Sequence, residues 1–253
     1  MRAQIALGIT PALEGRWLRI LRYDARSGAR DLVSVLERRR ADRRREMRRL
    51  GRLFALRRTL FAAGARVVAG VDEVGVGPLA GPLVAAAVVL PARVYLPGLD
   101  DSKQLRAEQR EALDGAIRAQ AIAVSVAELS SSEVDRLNTR GASLEAMRRA
   151  VLGLADTPDH VLVDAHTIPA IAFAQTAIVD GDARDGSIAA ASIVAKVYRD
   201  ARMRELDARH PGYGFARHKG YATRDHVAAL GRLGPCPEHR RSFTPVSQLG
   251  LFA

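Results

Sequence analysis

Residues 70–91 read GVDEVGVGPLAGPLVAAAVVLP. Two runs of small and β-branched apolar residues flank a Gly- and Pro-rich interruption. The run RVVAGVDE, from Arg66, predicts a buried strand. LVAAAVVLP, from Leu83 to Pro91, predicts a second, and GPLAGP between them predicts a tight turn. The first strand closes on two adjacent carboxylates, Asp72 and Glu73. Neighbours on a regular strand point to opposite faces, so both reach one site only if the strand ends or bends there. Gly75 and Gly77 allow such a bend.

Working downstream, AIAVSVAEL (121–129), HVLVDA (160–165) and AIAFAQTAIV (170–179) predict three more strands. Helices are expected at 106–118, 131–137, 141–154, 187–209 and 223–233. Early strands joined by short turns imply an antiparallel meander, and later strands separated by helices imply parallel additions. The fold class is therefore α/β with a mixed central sheet, a description that several architectures share.

Upstream, the texture is different. Residues 1–66 hold 18 Arg, no Lys and 6 acidic residues, a net charge of +12, whereas the remaining 187 residues sum to −1. Gly8, Pro11, Gly15 and Gly28 interrupt periodicity in residues 1–30, but Asp31 to Ala62 predict one or two amphipathic helices with Arg on the exposed face. The expected organisation is a basic helical extension (1–65), an α/β domain with a C-terminal helical part (66–246) and a tail (247–253). A basic appendage suits a polyanionic partner and salt-sensitive binding. A solvated Arg-rich helix serving solubility fits the charge run equally well.

Composition excludes several classes. One cysteine, Cys236, leaves no internal disulfide framework and no cysteine-based zinc cluster, which fits a reducing, cytoplasmic compartment. No apolar run approaches the ~20 residues needed to span a bilayer. The N-terminus lacks the apolar region of a secretory signal. Nothing in the sequence argues against a monomer.

Four carboxylates lie at the edges of apolar elements: Asp72 and Glu73, Asp164 closing the fourth strand, and Asp182 before the Ala-rich helix. Acids at the ends of buried strands are costly unless paired, hydrogen-bonded or metal-bound. An oxygen-only set with no His or Cys cluster beside it suits Mg²⁺ or Mn²⁺, and converging carboxylates would hold two such ions ~3.5–4 Å apart across a scissile phosphate. Taken singly, each acid is also an ordinary cap or turn residue, and Asp182 most of all.

The stretch 70–91 resembles the first signature of the ribonuclease HII family. In order, DDSKQL (100–105), LVDA (162–165), GDARDGSIAAASIVAKVYRDARM (181–203), HPGYGFARHKGYATRDH (210–226) and HRRSFTPV (239–246) resemble its other segments. The resemblance implies a ribonuclease H-like three-layer fold. It also implies an endonuclease that cuts the RNA strand of RNA/DNA hybrids and cuts duplex DNA 5′ to a single embedded ribonucleotide, leaving 3′-OH and 5′-phosphate ends. Residue by residue, it implies that Asp72, Glu73, Asp164 and Asp182 are the catalytic, metal-binding acids. Gly75, Val76 and Gly77 would meet the ribonucleotide, their backbone reading the 2′-OH, and Tyr221 would stack on the following sugar. Lys103, Lys219, Arg240 and Arg241 are candidate phosphate contacts, with ordinary surface cations as the alternative. His210, His218 and His226 are expected in structural or phosphate roles rather than as metal ligands.

Three positions depart from the family pattern: Val76 replaces an Arg between the glycines, Ala165 replaces a Gly after the third acid, and Asp180 replaces a Lys before Gly181. Restoring the guanidinium, Val76→Arg, is expected to tighten substrate binding. The chain ends SQLGLFA, and Gln248, Leu249, Leu251 and Phe252 resemble the short peptide by which replication proteins dock on a sliding clamp. Two rival readings stand beside the enzyme: another two-metal nuclease of the same fold, and a non-catalytic or weakened hybrid-binding homologue.

Overall fold

A computed structural model describes residues 11–249. They form two compact units divided between Arg52 and Leu53. The first contains α1 (Pro11–Leu21) and α2 (Ser27–Leu53). The sequence does not predict α1, because Pro11 and Gly15 read as breakers. Pro11 in fact occupies the first helical position, where its missing N–H costs nothing. Arg43 of α2 reaches the buried Glu14 of α1 at 2.7 Å. Leu18, Leu36 and Leu50 are buried, while Arg40, Arg44, Arg48 and Arg52 are exposed.

The second unit begins with α3 (Ala55–Ala62). The boundary thus falls earlier than residue 65, because Leu56, Leu60 and Phe61 pack against Val68, Leu162 and Ile188 of the second unit's core. Five strands follow, β1 (Val68–Val74), β2 (Leu83–Val89), β3 (Ala123–Leu129), β4 (His160–Asp164) and β5 (Ala174–Ile178). Interleaved with them are α4 (Ala107–Gln120), α5 (Ser131–Leu152), α6 (Gly181–Arg184), α7 (Gly186–Arg209), α8 (Phe215–His218), α9 (Arg224–Leu233) and α10 (Val246–Leu249).

The sheet order is β3-β2-β1-β4-β5. The first three strands pair antiparallel, and β4 and β5 add in parallel. This is the mixed sheet expected from the spacing of the runs. Alternation divides the strands between two covering helices. Val71, Ala85, Ala87, Val161 and Val163 pack with Ala142, Ala146, Met147 and Ala150 of α5. On the other face, Gly70 lets α7 approach so closely that a Cβ there would lie 2.1 Å from the Ser187 carbonyl carbon. That contact explains the long Ala-rich stretch of α7, since small side chains allow sheet and helix to meet at backbone distance. The helices expected at 131–137 and 141–154 are one element broken at Asn138, whose φ is 57° and whose side chain accepts from Gly141 N and restarts the helix. No helix among the described residues is long and apolar enough to cross a membrane.

Candidate active site

The centre of the sheet gathers the carboxylates. β1 and β4 run parallel with Val71 opposite Val163, so Asp72 and Asp164 follow at the same strand ends. Asp72, Glu73 and Asp164 each offer an oxygen within 4.8 Å of the others. The strand alternation is kept, and the acids straddle it. Asp72 lies on the α7 side, where the nearby Ser192 favours its charged form, and Glu73 lies on the α5 side, where Ser143 does the same. Asp72 also accepts from the Glu73 amide at 2.8 Å, and Asp164 accepts from Gly181 N at 2.7 Å. Ser102 bonds Ser192 at 2.9 Å.

Electrostatics show what the cluster lacks. Burial pushes the Asp72 carboxyl well above its usual range, and the Glu73 and Asp164 charges add to the rise. Burial likewise raises Glu73, against Ser143, which lowers it, and Asp164 adds to the rise. Burial raises Asp164 as well, against the Gly181 amide, with Asp182 adding. Among the described residues no Lys or Arg bonds to any of the three, and Glu73 Oε2 is buried with no partner. A buried, mutually repelling, oxygen-only triad is the donor set of a hard divalent cation, which would relieve the strain on all three acids.

Asp182 stands apart from this group. It is buried at the start of α6, and its Oδ2 receives Lys103 Nζ at 2.8 Å. It approaches Asp164 closely enough to raise that acid. Lys103 therefore spends its charge on an acid of the site while its side chain remains 75% exposed.

The Gly75-Val76-Gly77 loop leaves β1 beside the acids. Gly75 has φ 92°, the left-handed region that favours glycine. Gly77 has no such requirement, and a Cβ there would meet nothing within 4 Å. Val76 packs its side chain into the apolar cluster with Leu83 and Phe243, so an arginine in its place would have to leave that cluster.

Arg240 corrects the sequence reading most sharply. It is wholly buried and donates to the carbonyls of Val76, Gly75 and Gly81 at 2.7, 2.6 and 3.0 Å, so its guanidinium bonds the protein's own backbone rather than facing solvent for a phosphate. Lys219 is half-buried and donates to Ala216 O at 2.7 Å. Arg241 is exposed; its amide donates to Asp135 and its side chain to Pro235 O. Tyr221 is 45% exposed. The Ala80 carbonyl touches the Gly220 backbone, and Leu79 N donates to Gly220 O at 2.9 Å, so the HKGY segment is tied to the same loop. Gln248 is exposed on α10, while Leu251 and Phe252 lie outside the described residues, as does the Leu249 side chain.

The histidines form a structural stack. The His226 Nδ1–H donates to Tyr221 O at 2.9 Å, because a carbonyl can only accept. Its Nε2 must then accept from His239 Nε2, 3.1 Å away, and His239 Nδ1 accepts from Cys236 N at 3.0 Å. His218, stacked on His226, bonds Tyr213 O and Gly220 N. Both His226 and His239 are lowered by burial, His239 to about 4. His210 sits 3.9 Å from Glu238. Sequence reasoning missed Ser143, Ser192, Arg199 and His239. A serine or buried arginine inside a helix carries no periodic signal of its own.

Comparison with known proteins agrees with this geometry. The family model described as Ribonuclease HII matches residues 69–246. The ribonuclease HII of Geobacillus kaustophilus is 50% identical over 234 residues, covering 92% of this chain and 89% of its own. That of Myxococcus xanthus is 48% identical over 253 residues, covering 99% and 86%. Among solved structures, the ribonuclease H2 from Pyrococcus horikoshii OT3 superimposes with TM-score 0.61 at 26% identity, covering 72% of this chain and 96% of that one. The ribonuclease HII of Archaeoglobus fulgidus, solved in complex with PCNA, does so with TM-score 0.61 at 25% identity, covering 70% and 95%. With acids held at the ends of β1 and β4 and matches running from β1 to α10, the chain belongs to the ribonuclease HII family.

Proposed function

We propose that the enzyme, an RNA-strand endonuclease by family, uses Asp72, Glu73, Asp164 and Asp182 to cut RNA/DNA hybrids and to cut duplex DNA on the 5′ side of an embedded ribonucleotide. The observation that carries this reading is the convergence of three carboxylates from two adjacent strand ends. Asp72, Glu73 and Asp164 would hold divalent ions, two per site with substrate, with Mg²⁺ or Mn²⁺ fitting the oxygen-only donors; Asp182 would join them once Lys103 turns to a phosphate. Divalent ions held there would supply nucleophile activation near neutral pH and charge neutralisation at the leaving oxygen, which is released as a 3′-OH. Ser143 and Ser192 favour the charged forms of Glu73 and Asp72, the forms that an ion would need.

The Gly75-Val76-Gly77 backbone meets the ribose 2′-OH, and the exposed ring of Tyr221 stacks on the next sugar. Exposed Lys103 and Arg241 remain the phosphate contacts best supported by their placement. The arginines of α2 suit the duplex backbone. The tail is a docking peptide for a sliding clamp, a reading favoured by the archaeal relative solved with PCNA. Deleting residues 248–253 should abolish clamp binding in a pull-down and leave single-turnover cleavage intact; undiminished clamp binding would remove the idea. A monomer in a reducing cytoplasm completes the reading.

The test is a labelled duplex carrying one ribonucleotide, incubated with Mg²⁺ or Mn²⁺ beside an all-DNA control. A single cut 5′ to the ribonucleotide, absent from the control, is expected. Cutting that ignores the ribonucleotide would favour a different nuclease of the same fold.

A further inference from the structure

Arg199 and Arg240 are wholly buried, and neither lies within salt-bridge distance of a carboxylate among the described residues. Moving a guanidinium out of water without a counter-charge is expensive. Burial lowers both pKa values, that of Arg240 to about 9. The compensation comes from one loop. Arg240 holds the carbonyls of Gly75, Val76 and Gly81, and Arg199 holds those of Pro82 at 2.9 Å and Ala80 at 3.3 Å. Five carbonyls between Gly75 and Pro82 are thereby turned toward buried positive charge. Gly75 is pressed so closely on Arg199 that a Cβ would lie 2.3 Å from its Nε.

In a trans peptide the N–H points opposite to the C=O across the same bond. The peptides joining residues 75 to 76 and 76 to 77 are trans. With the Gly75 and Val76 carbonyls turned to Arg240, the amides of Val76 and Gly77 are turned away from it. Neither amide donates to any acceptor among the described residues. Val76 cannot swing freely, because its side chain is anchored in the apolar cluster. Two adjacent, oriented, unpartnered donors beside the acidic site form a ready-made receptor for an oxygen.

We propose that Arg240, with Arg199 supporting the same loop, is a positioning residue for recognition of the ribose 2′-hydroxyl: it fixes two peptide planes so that the Val76 and Gly77 amides face the ribonucleotide. The inference rests on the function proposed above and names the side chains that set its selectivity. Lysine cannot replace arginine here, since a point ammonium does not span diverging carbonyls as a planar fork does.

The test uses the full chain and two duplexes that differ by a single ribonucleotide, with affinities read by fluorescence anisotropy in Ca²⁺. The parent should prefer the ribonucleotide duplex. Arg240→Lys should lose about tenfold or more of that preference, the worth of two hydrogen bonds, while its affinity for the all-DNA duplex stays near parental. A folded Arg240→Lys protein with the parental preference, or one that loses affinity for both duplexes alike, overturns the proposal. If that variant does not fold, Arg199→Lys decides by the same criteria. Failure of the parent to cut 5′ to the ribonucleotide would instead count against the proposed function, so the two failures are told apart.

Discussion

Ala165, directly after the third acid, has φ 54°, a region that costs a residue with a Cβ roughly 1–2 kcal/mol. Ala165→Gly removes that strain, at some cost in unfolded-chain entropy. It should raise stability by about 0.5–1 kcal/mol in urea melts. Asp72 illustrates the opposite conflict, a buried acid whose proposed chemistry runs against stability. Its folded pKa is raised by burial and by Glu73 and Asp164, so its charged form opposes folding above the unfolded carboxylate pKa. That opposition begins to shrink as pH falls through the raised value and is gone below the unfolded carboxylate pKa. In metal-free protein at neutral pH, Asp72→Asn should therefore stabilise the fold by about 1 kcal/mol or more, with the gain shrinking toward acid pH. A destabilised Asp72→Asn protein would contradict the picture of repulsion. The acids were legible in the sequence because each ends an apolar run. The serines beside two of them were not, since a polar residue on a packed helix announces its neighbour only once the helix is docked.

At the scale of elements, the five strands and the Ala-rich helix were readable from alternation and from small-residue content. Register and the meeting of β1 with β4 required pairing across 92 residues, Val68 to His160, which no local pattern encodes. Pro11 and Gly15 concealed α1, because a breaker at a first helical turn looks the same as one in a loop. Arg240 was misread for a similar reason: arginine is so rarely buried that exposure is the default expectation. In α2, Arg40, Arg44, Arg48 and Arg52 recur at every fourth residue and form a stripe on its exposed side, with ~6 Å of rise between neighbours. Changing all four to Gln should make the dependence of log Kd on log salt for duplex binding shallower by as much as ~3–4, about 0.9 per phosphate contact. An unaltered slope would assign the stripe to solubility instead.

The whole molecule joins a strongly basic helical unit to a near-neutral α/β unit whose sheet delivers three carboxylates to one point. The family resemblance read from six ordered motifs is matched by relatives at 48–50% identity over nearly the full chain. What the motifs did not disclose is how they cooperate: residues 75–82, 218–221 and 238–240 are joined by backbone bonds and by Arg240 into one support for the site. The central claim is that the acid cluster does the cutting, and one measurement addresses it most directly. Parent and Asp72→Asn are compared for binding and for cleavage of a duplex holding a single ribonucleotide, in saturating Mg²⁺. The account predicts that the parent cuts once, 5′ to the ribonucleotide, and that Asp72→Asn binds the duplex at least as tightly. The variant's cleavage rate should fall by more than the ~10–100-fold that losing a supporting partner of a metal ligand costs. Cleavage by Asp72→Asn at the parental rate would contradict it.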